Sequence, residues 1–541
     1  MKKKQTESIS ETVSGFFKWI LEVFTSITII SIFVVMPFYF QEGFTHIGSD
    51  KSYFFRTGAI RLGRLILPVF ALWLICFAVA AFPKRQKGML REWCRTVSVT
   101  DWLMFLYGVS ALFSYTCSRY RSTALWGTKG WYMGLIPQLT LVSVYFLVSR
   151  FQFRNLARLL FYAGLAASAV VFFLACLNRF DFWPIPMANS GLPYFISTIG
   201  NINWYCGYAV AIGFAGVGLL WLDKGDRKWY TILLCAYVLL FFATLITQGS
   251  DSGIFAFAFV LLALFLCSVR EEEALRLRRF WLMVLLLAGA GLLVMGLRFL
   301  LPGRMNLTSR TGDLLTYSPL PIALAAVAAI GLLCGRSRPA AYQKLLQGAS
   351  KLLCIGLPTA AVVFVLMIAV NTVRPGSLGP LSGNGVFTFN DKWASHRGAT
   401  WSLGIRCFGE QDLLHKLSGI GPDCMADFLY AKGDGKGASE ALIARVREAF
   451  PNKRLTNAHS ELLTILVNMG LLGMLTFGGA LISSAVRWMR ARGKSCFAAA
   501  CGLCVLAYMA NNIWSFQQSM SLATIGVILG MGEWFWRTER K

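Results

Sequence analysis

Three of the four histidines in this chain, His396, His415 and His459, fall in one long polar stretch, residues 373–460, of a sequence otherwise made of apolar blocks. An imidazole titrates near neutral pH and can take a proton from a hydroxyl or return one. Beside the first histidine stands His396-Arg397-Gly398-Ala399-Thr400-Trp401, which adds a guanidinium able to grip phosphate and a broad aromatic face. The stretch closes on Asn457-Ala458-His459-Ser460-Glu461, and an apolar block follows at once, so His459 is expected where water meets hydrocarbon. That position suits a lipid-linked substrate.

The elements that must hold these groups follow from composition. With 56% hydrophobic residues, 14% charged and a mean hydropathy of +0.57, most of the chain cannot form a water-facing surface. A bilayer core of about 30 Å takes about 20 helical residues per crossing, and the sequence holds roughly fourteen such blocks. They lie near 20–40, 60–82, 100–116, 129–148, 156–177, 204–222, 229–247, 252–269, 279–301, 317–334, 352–372, 461–486, 496–513 and 517–536. The expected fold is an all-α polytopic transmembrane bundle with one long extracytoplasmic loop containing helices. Its parts are N-terminal membrane helices (1–98), a membrane core (99–372), the loop (373–460) and C-terminal membrane helices (461–541). The first block is too long for a signal-peptide core and reads as a retained anchor.

A formal charge of +26 would suit nucleic acid, but the charges sit in alternate connections, as the positive-inside rule requires. Lys84, Arg85 and Lys87, then Arg150, Arg154 and Arg158, then Arg487, Arg490 and Arg492 mark inside loops, which puts both termini in the cytoplasm. The long loop falls outside; its 11 Lys+Arg less 8 Asp+Glu leave +3, which suits an anionic partner. Of the fourteen cysteines most lie in apolar blocks. Cys407 and Cys424 share the loop, and free thiols are the expectation over a disulfide.

Several short motifs carry both a ligand reading and a plain one. Arg119 and Arg121 suit phosphate or simple solvation; Asn201 and Asn203 suit sugar hydroxyls or helix capping. In 392–417 a single amphipathic helix is predicted, with Trp393, Arg397, Trp401 and Ile405 on one side, where the arginine either binds a ligand or stacks at the interface. Gly419 and Gly421 fit a tight turn or a close approach to a ligand. Asp423 and Asp427, four apart, read as an exposed helix face rather than a metal site. No metal or cofactor is expected.

Taken in order, these pieces resemble the O-antigen ligase and polysaccharide polymerase family of bacterial membrane glycosyltransferases. The resemblance rests on His396 to Trp401, on Leu417-Ser418-Gly419-Ile420-Gly421-Pro422, and on His459-Ser460-Glu461-Leu462-Leu463-Thr464-Ile465-Leu466-Val467-Asn468-Met469-Gly470-Leu471-Leu472-Gly473. Weaker echoes are Ala124-Leu125-Trp126-Gly127, Gly200-Asn201-Ile202-Asn203 and Asn511-Asn512-Ile513-Trp514-Ser515-Phe516, so it spans about residues 105–535. Ser460 stands where the family usually has Asn. The turn that often carries Ser-Arg-Gly reads Asp251-Ser252-Gly253 here, leaving Arg310, Arg119 or Arg304 to supply that cation.

The resemblance implies a type C glycosyltransferase-like fold in the cytoplasmic (inner) membrane. It implies transfer of a glycan from an undecaprenyl diphosphate carrier to a hydroxyl of a lipid or polysaccharide acceptor, without metal and with inversion. Arg397 would neutralise the diphosphate and His459 would act as general base or orient the acceptor. Arg310, Arg119, Trp401, Asn201, Asn203, Gly419, Gly421 and Ser460 are the candidate substrate contacts. A polymerase of the same family shares the donor chemistry, and a polytopic transporter, which would bind near the midplane, is the expectation of a different class.

Overall fold

The computed structural model describes residues 2–41, 47–81, 96–270, 274–305, 309–337, 340–431 and 437–539. Among the described residues the regular structure is helical, apart from a small hairpin pairing Phe195–Ile196 with Gly200–Asn201. A helix lies on each of the fourteen apolar blocks. Among the described residues nine helices are long and apolar enough to cross a membrane, or ten if the bent pair Thr311–Tyr317 and Leu320–Gly335 is one span. Leu135–Arg150 and Cys496–Asn512 are apolar but shorter. This is a multi-pass membrane architecture.

Its axis is the helix Ile202–Leu222, whose apolar window is wholly buried. Six glycines and alanines run through Ala209-Val210-Ala211-Ile212-Gly213-Phe214-Ala215-Gly216-Val217-Gly218, and they let neighbours approach. A Cβ on Gly213 would meet Phe241 at 2.1 Å, one on Gly216 would meet Tyr237 at 2.2 Å, and one on Gly218 would meet Ala500 Cα at 2.7 Å. At the other extreme the apolar window of Ala340–Val373 has no buried residue, and Leu352, Ile355 and Val365 face outward. Between helices and hydrocarbon no water can relieve an open backbone, so each break needs an internal partner. The first span passes into a π turn (Ser31–Val35) and a 3-10 turn (Met36–Phe38), and Lys51 Nζ donates to the carbonyls of Met36, Pro37 and Tyr39 at 2.8, 2.8 and 2.6 Å.

The two ends of the bundle differ in chemistry. One end carries ion pairs among the residues counted as inside: Arg150 to Asp101 (3.0 Å), Arg487 to Glu533 (3.1 Å) and Arg279 to Asp223 (2.6 Å). At the other end the connections counted as outside come together around residues 392–470.

Candidate functional site

The site is built on a broken helix. Glu461–Arg490 is interrupted at Gly470, whose φ of 67° lies in the left-handed region. The break turns the carbonyls of Val467 and Asn468 away from helical partners, and the polar loop supplies donors. Ile420 N and Gln411 Nε2 reach Val467 O at 3.3 and 3.0 Å; Gly421 N and Ser114 Oγ reach Asn468 O at 3.0 and 2.8 Å. Only glycine fits this seat. Gly419 (φ 74°) would bring a Cβ to 2.2 Å from Asn468 O, and Gly421 (φ 123°) would bring one to 2.2 Å from Ser118 Oγ. The Gly-x-Gly turn therefore docks the loop onto the helix break, and the space over both glycines is filled by protein.

His459 lies two residues before that helix, with φ 51°. Its N–H donates to Asn457 Oδ1 at 3.0 Å, its ring meets Phe516 edge-on at 5.1 Å, and its Nδ1 is buried without a hydrogen-bond partner. Burial, then the positive charge of Arg397, push the imidazole down to about 4, so it is neutral at pH 7. Arg397, 62 residues away in sequence, is therefore close enough to be felt. Its Nε donates to Trp514 O at 2.9 Å and its Nη1 to Ala394 O at 3.1 Å; burial holds the guanidinium below its ordinary range, and Asp251 opposes that. Among the described residues the second terminal nitrogen finds no hydrogen-bond acceptor. Around it stand Trp401 stacked on Trp514 (5.2 Å) and Trp393 against both (5.7 and 6.0 Å).

Next to His459 lies a cleft whose wall mixes carboxyl and amide groups with aromatic and aliphatic side chains. Asp423 is buried in its wall, accepting from the N–H groups of Thr128 (2.7 Å) and Met133 (3.0 Å), and burial pushes its carboxyl up to about 7. Glu461 is 3% exposed and accepts from Tyr508 Oη at 2.9 Å and from Asn512 Nδ2. Gln138 takes the Tyr107 hydroxyl at 2.7 Å and donates to Gln517 Oε1 at 3.0 Å. Gln517 Nε2 leans toward Glu461 without completing a hydrogen bond.

The structure departs from the sequence expectations at several places. The predicted 392–417 helix is two helices, Trp393–Gly409 and Leu413–Ser418, because Asp412 caps a new start by accepting from His415 N at 2.9 Å. Ala394, Ser395 and His396 have left-handed φ values of 48°, 60° and 69°, so Trp393 reaches Trp401 through a kink instead of a regular helical face. Asp423 is not on an exposed face: it precedes the helix Met425–Tyr430 and is buried, while Asp427 pairs with Arg454 at 2.9 Å. Cys407 and Cys424 are free and buried.

Asn201 caps the helix Ile202–Leu222 through Asn203 N (2.9 Å), and Asn203 Oδ1 accepts from Ser250 Oγ at 2.9 Å, which ties it to the turn before Asp251. Ser252, in the place where the resembled turn carries arginine, is buried and shares a hydrogen bond with Ser250 Oγ at 2.9 Å, while Asp251 before it accepts from Ser309 Oγ (2.6 Å) and Thr311 Oγ1 (3.2 Å). Ser460 occupies the N-cap of Glu461–Arg490, but its side chain makes no capping bond. Arg119 is exposed, Arg304 lies over the Phe182 ring at 5.5 Å, and the side chain of Arg310 lies outside the described residues. Sequence reasoning gave no role to Asp423, Glu461, Asn468, Gln138, Gln517, Trp131, Trp514 or Phe516. A polar side chain inside an apolar block, as at Gln138 and Asn468, is the signal that marks such positions.

Among the described residues no three His, Cys, Asp or Glu side chains converge as a metal site. No family model matches the chain, and no curated protein matches it.

Proposed function

We propose that this protein is a membrane glycosyltransferase that moves a glycan from a polyprenyl diphosphate carrier to an acceptor hydroxyl, on the extracytoplasmic side of the cytoplasmic membrane. The observation that carries the proposal is the proximity of Arg397 and His459, an anion-binding cation beside a neutral imidazole, at the mouth of a membrane bundle. Arg397 is fixed by two carbonyls, so its remaining N–H groups point a preorganised charge at the leaving diphosphate. The neutral imidazole has a free lone pair for the acceptor proton. As the sugar to diphosphate bond breaks, that proton leaves the hydroxyl and the new glycosidic bond forms at the anomeric carbon.

A bound diphosphate also tunes the base. Its negative charge offsets the guanidinium that depresses His459, so the imidazole becomes more basic once donor is present. The tryptophans around Arg397 offer apolar faces to the first sugar or the first isoprene unit. Ligase and polymerase versions share this chemistry and differ in the acceptor.

The test is transfer from a glycan-loaded polyprenyl diphosphate by purified protein in lipid, with and without chelator, for wild type, His459→Ala and Arg397→Ala. Transfer lost in both folded variants is expected. No turnover with any carrier glycan, in folded protein, would refute the proposal and favour a transporter.

A further inference from the structure

The cleft beside His459 has a wall chemistry that the donor does not need. Its volume is about 40 Å³, room for about three waters and so for two or three non-hydrogen atoms of a ligand. Asp423 and Glu461 supply carboxyl oxygens, Gln517 supplies an amide N–H that is 8% exposed as a residue and without a partner, and Trp131 and Phe516 supply aromatic faces. Among the described residues no Lys, Arg or His lines it.

We propose that this cleft is a subsite for a neutral sugar of the acceptor, receiving its hydroxymethyl group, and that it selects against anionic acceptors. The inference rests on the glycosyl-transfer proposal and narrows its acceptor. A hydroxyl both donates and accepts, which matches carboxyl oxygens facing an unpartnered amide N–H. The C–H bonds of the same hydroxymethyl group match the aromatic faces of Trp131 and Phe516. A phosphate needs five non-hydrogen atoms of space and a cation; a carboxylate fits by size but would add a further acid to a wall that has no basic group to offset it. Position agrees with chemistry. Asn457 and Phe516 both line the cleft and both touch His459, one at its backbone N–H (3.0 Å) and one at its ring (5.1 Å). A sugar anchored here presents its other hydroxyls to the imidazole.

The experiment is saturation-transfer NMR on the full chain in lipid nanodiscs, titrating methyl β-D-glucopyranoside against the corresponding methyl glucopyranosiduronate. The neutral glycoside should bind about tenfold more tightly, and Glu461→Gln should narrow that preference at least threefold by removing one acid without changing shape. Should that variant not fold, Gln517→Leu, which removes the unpartnered donor, is expected to weaken the neutral glycoside about fivefold. Absence of neutral-glycoside binding, equal binding of the uronate, or an unchanged preference in a folded Glu461→Gln protein would each overturn the proposal. Glycoside binding without any transfer would instead sink the glycosyl-transfer proposal and leave the subsite. Transfer to neutral and anionic acceptors alike would do the reverse.

Discussion

Replacing Arg397 with Gln should raise the protonation midpoint of His459, and the size of the effect is bounded by the structure. The midpoint stands at about 4 against an ordinary 6.5, with burial the larger cause and Arg397 the next. That difference is about 2.5 pKa units, and at about 1.4 kcal/mol each the site disfavours the imidazolium by on the order of 3 kcal/mol. Removing the guanidinium relieves only the second cause. The midpoint should therefore rise but stay below 6.5, and inorganic pyrophosphate added to wild type should move it the same way. The assay is NMR of ¹³C-histidine-labelled protein in nanodiscs, with His459→Gln identifying its resonance among the four histidines. Stability carries the matching sign. Above about pH 6.5 neither folded nor unfolded chain protonates this ring; as pH falls from 6.5 toward 4 the unfolded chain binds the proton first, so stability is lost through that window. His459→Gln should remove that loss. A wild-type midpoint near 6.5, or no response to Arg397→Gln, would refute the coupling on which the mechanism depends.

Asp423 predicts the opposite slope: its folded midpoint of about 7 lies above the ordinary 3.8, so its contribution is complete in acid and lost as pH rises through the window up to about 7. Asp423→Asn should flatten that slope in thermal melts recorded across pH. Gly419→Ala forces a Cβ to 2.2 Å from Asn468 O at a φ of 74°, and should cost about 2–4 kcal/mol from left-handed strain and overlap together, read as a lowered denaturation midpoint. Ser118→Ala removes a 2.7 Å hydrogen bond to Ile420 O and should cost about 1 kcal/mol in the same measurement. Arg397→Lys keeps the charge but cannot hold both Trp514 O and Ala394 O, so transfer should fall at least about tenfold with folding intact.

What the sequence determined was whatever depends on local composition and period. Fourteen apolar blocks become helices because a run of about 20 apolar residues in lipid has one way to satisfy its backbone. His459 stands just ahead of an apolar block in the sequence, and it lies two residues before the helix Glu461–Arg490 because Ser460-Glu461 and the following leucines mark that start. Arg397 and Trp401 were legible as a pair through spacing, and the fold keeps them in one helix.

The rest was decided by tertiary structure, because it depends on which distant backbone groups lack partners. Gly419 and Gly421 are open to a ligand reading in the sequence; the break at Gly470 exposes the Val467 and Asn468 carbonyls, whose donors lie 47 residues earlier in Ile420 and Gly421, 56 earlier in Gln411 and 354 earlier in Ser114. Asp423 looked like a surface acid in sequence. Only the fold brings Thr128 N and Met133 N to it, 295 and 290 residues away, and makes it a buried wall of the cleft. Trp514 likewise joins Arg397 across 117 residues. Period and composition cannot encode such pairings, since each satisfies a desolvated polar group created elsewhere in the chain by packing itself.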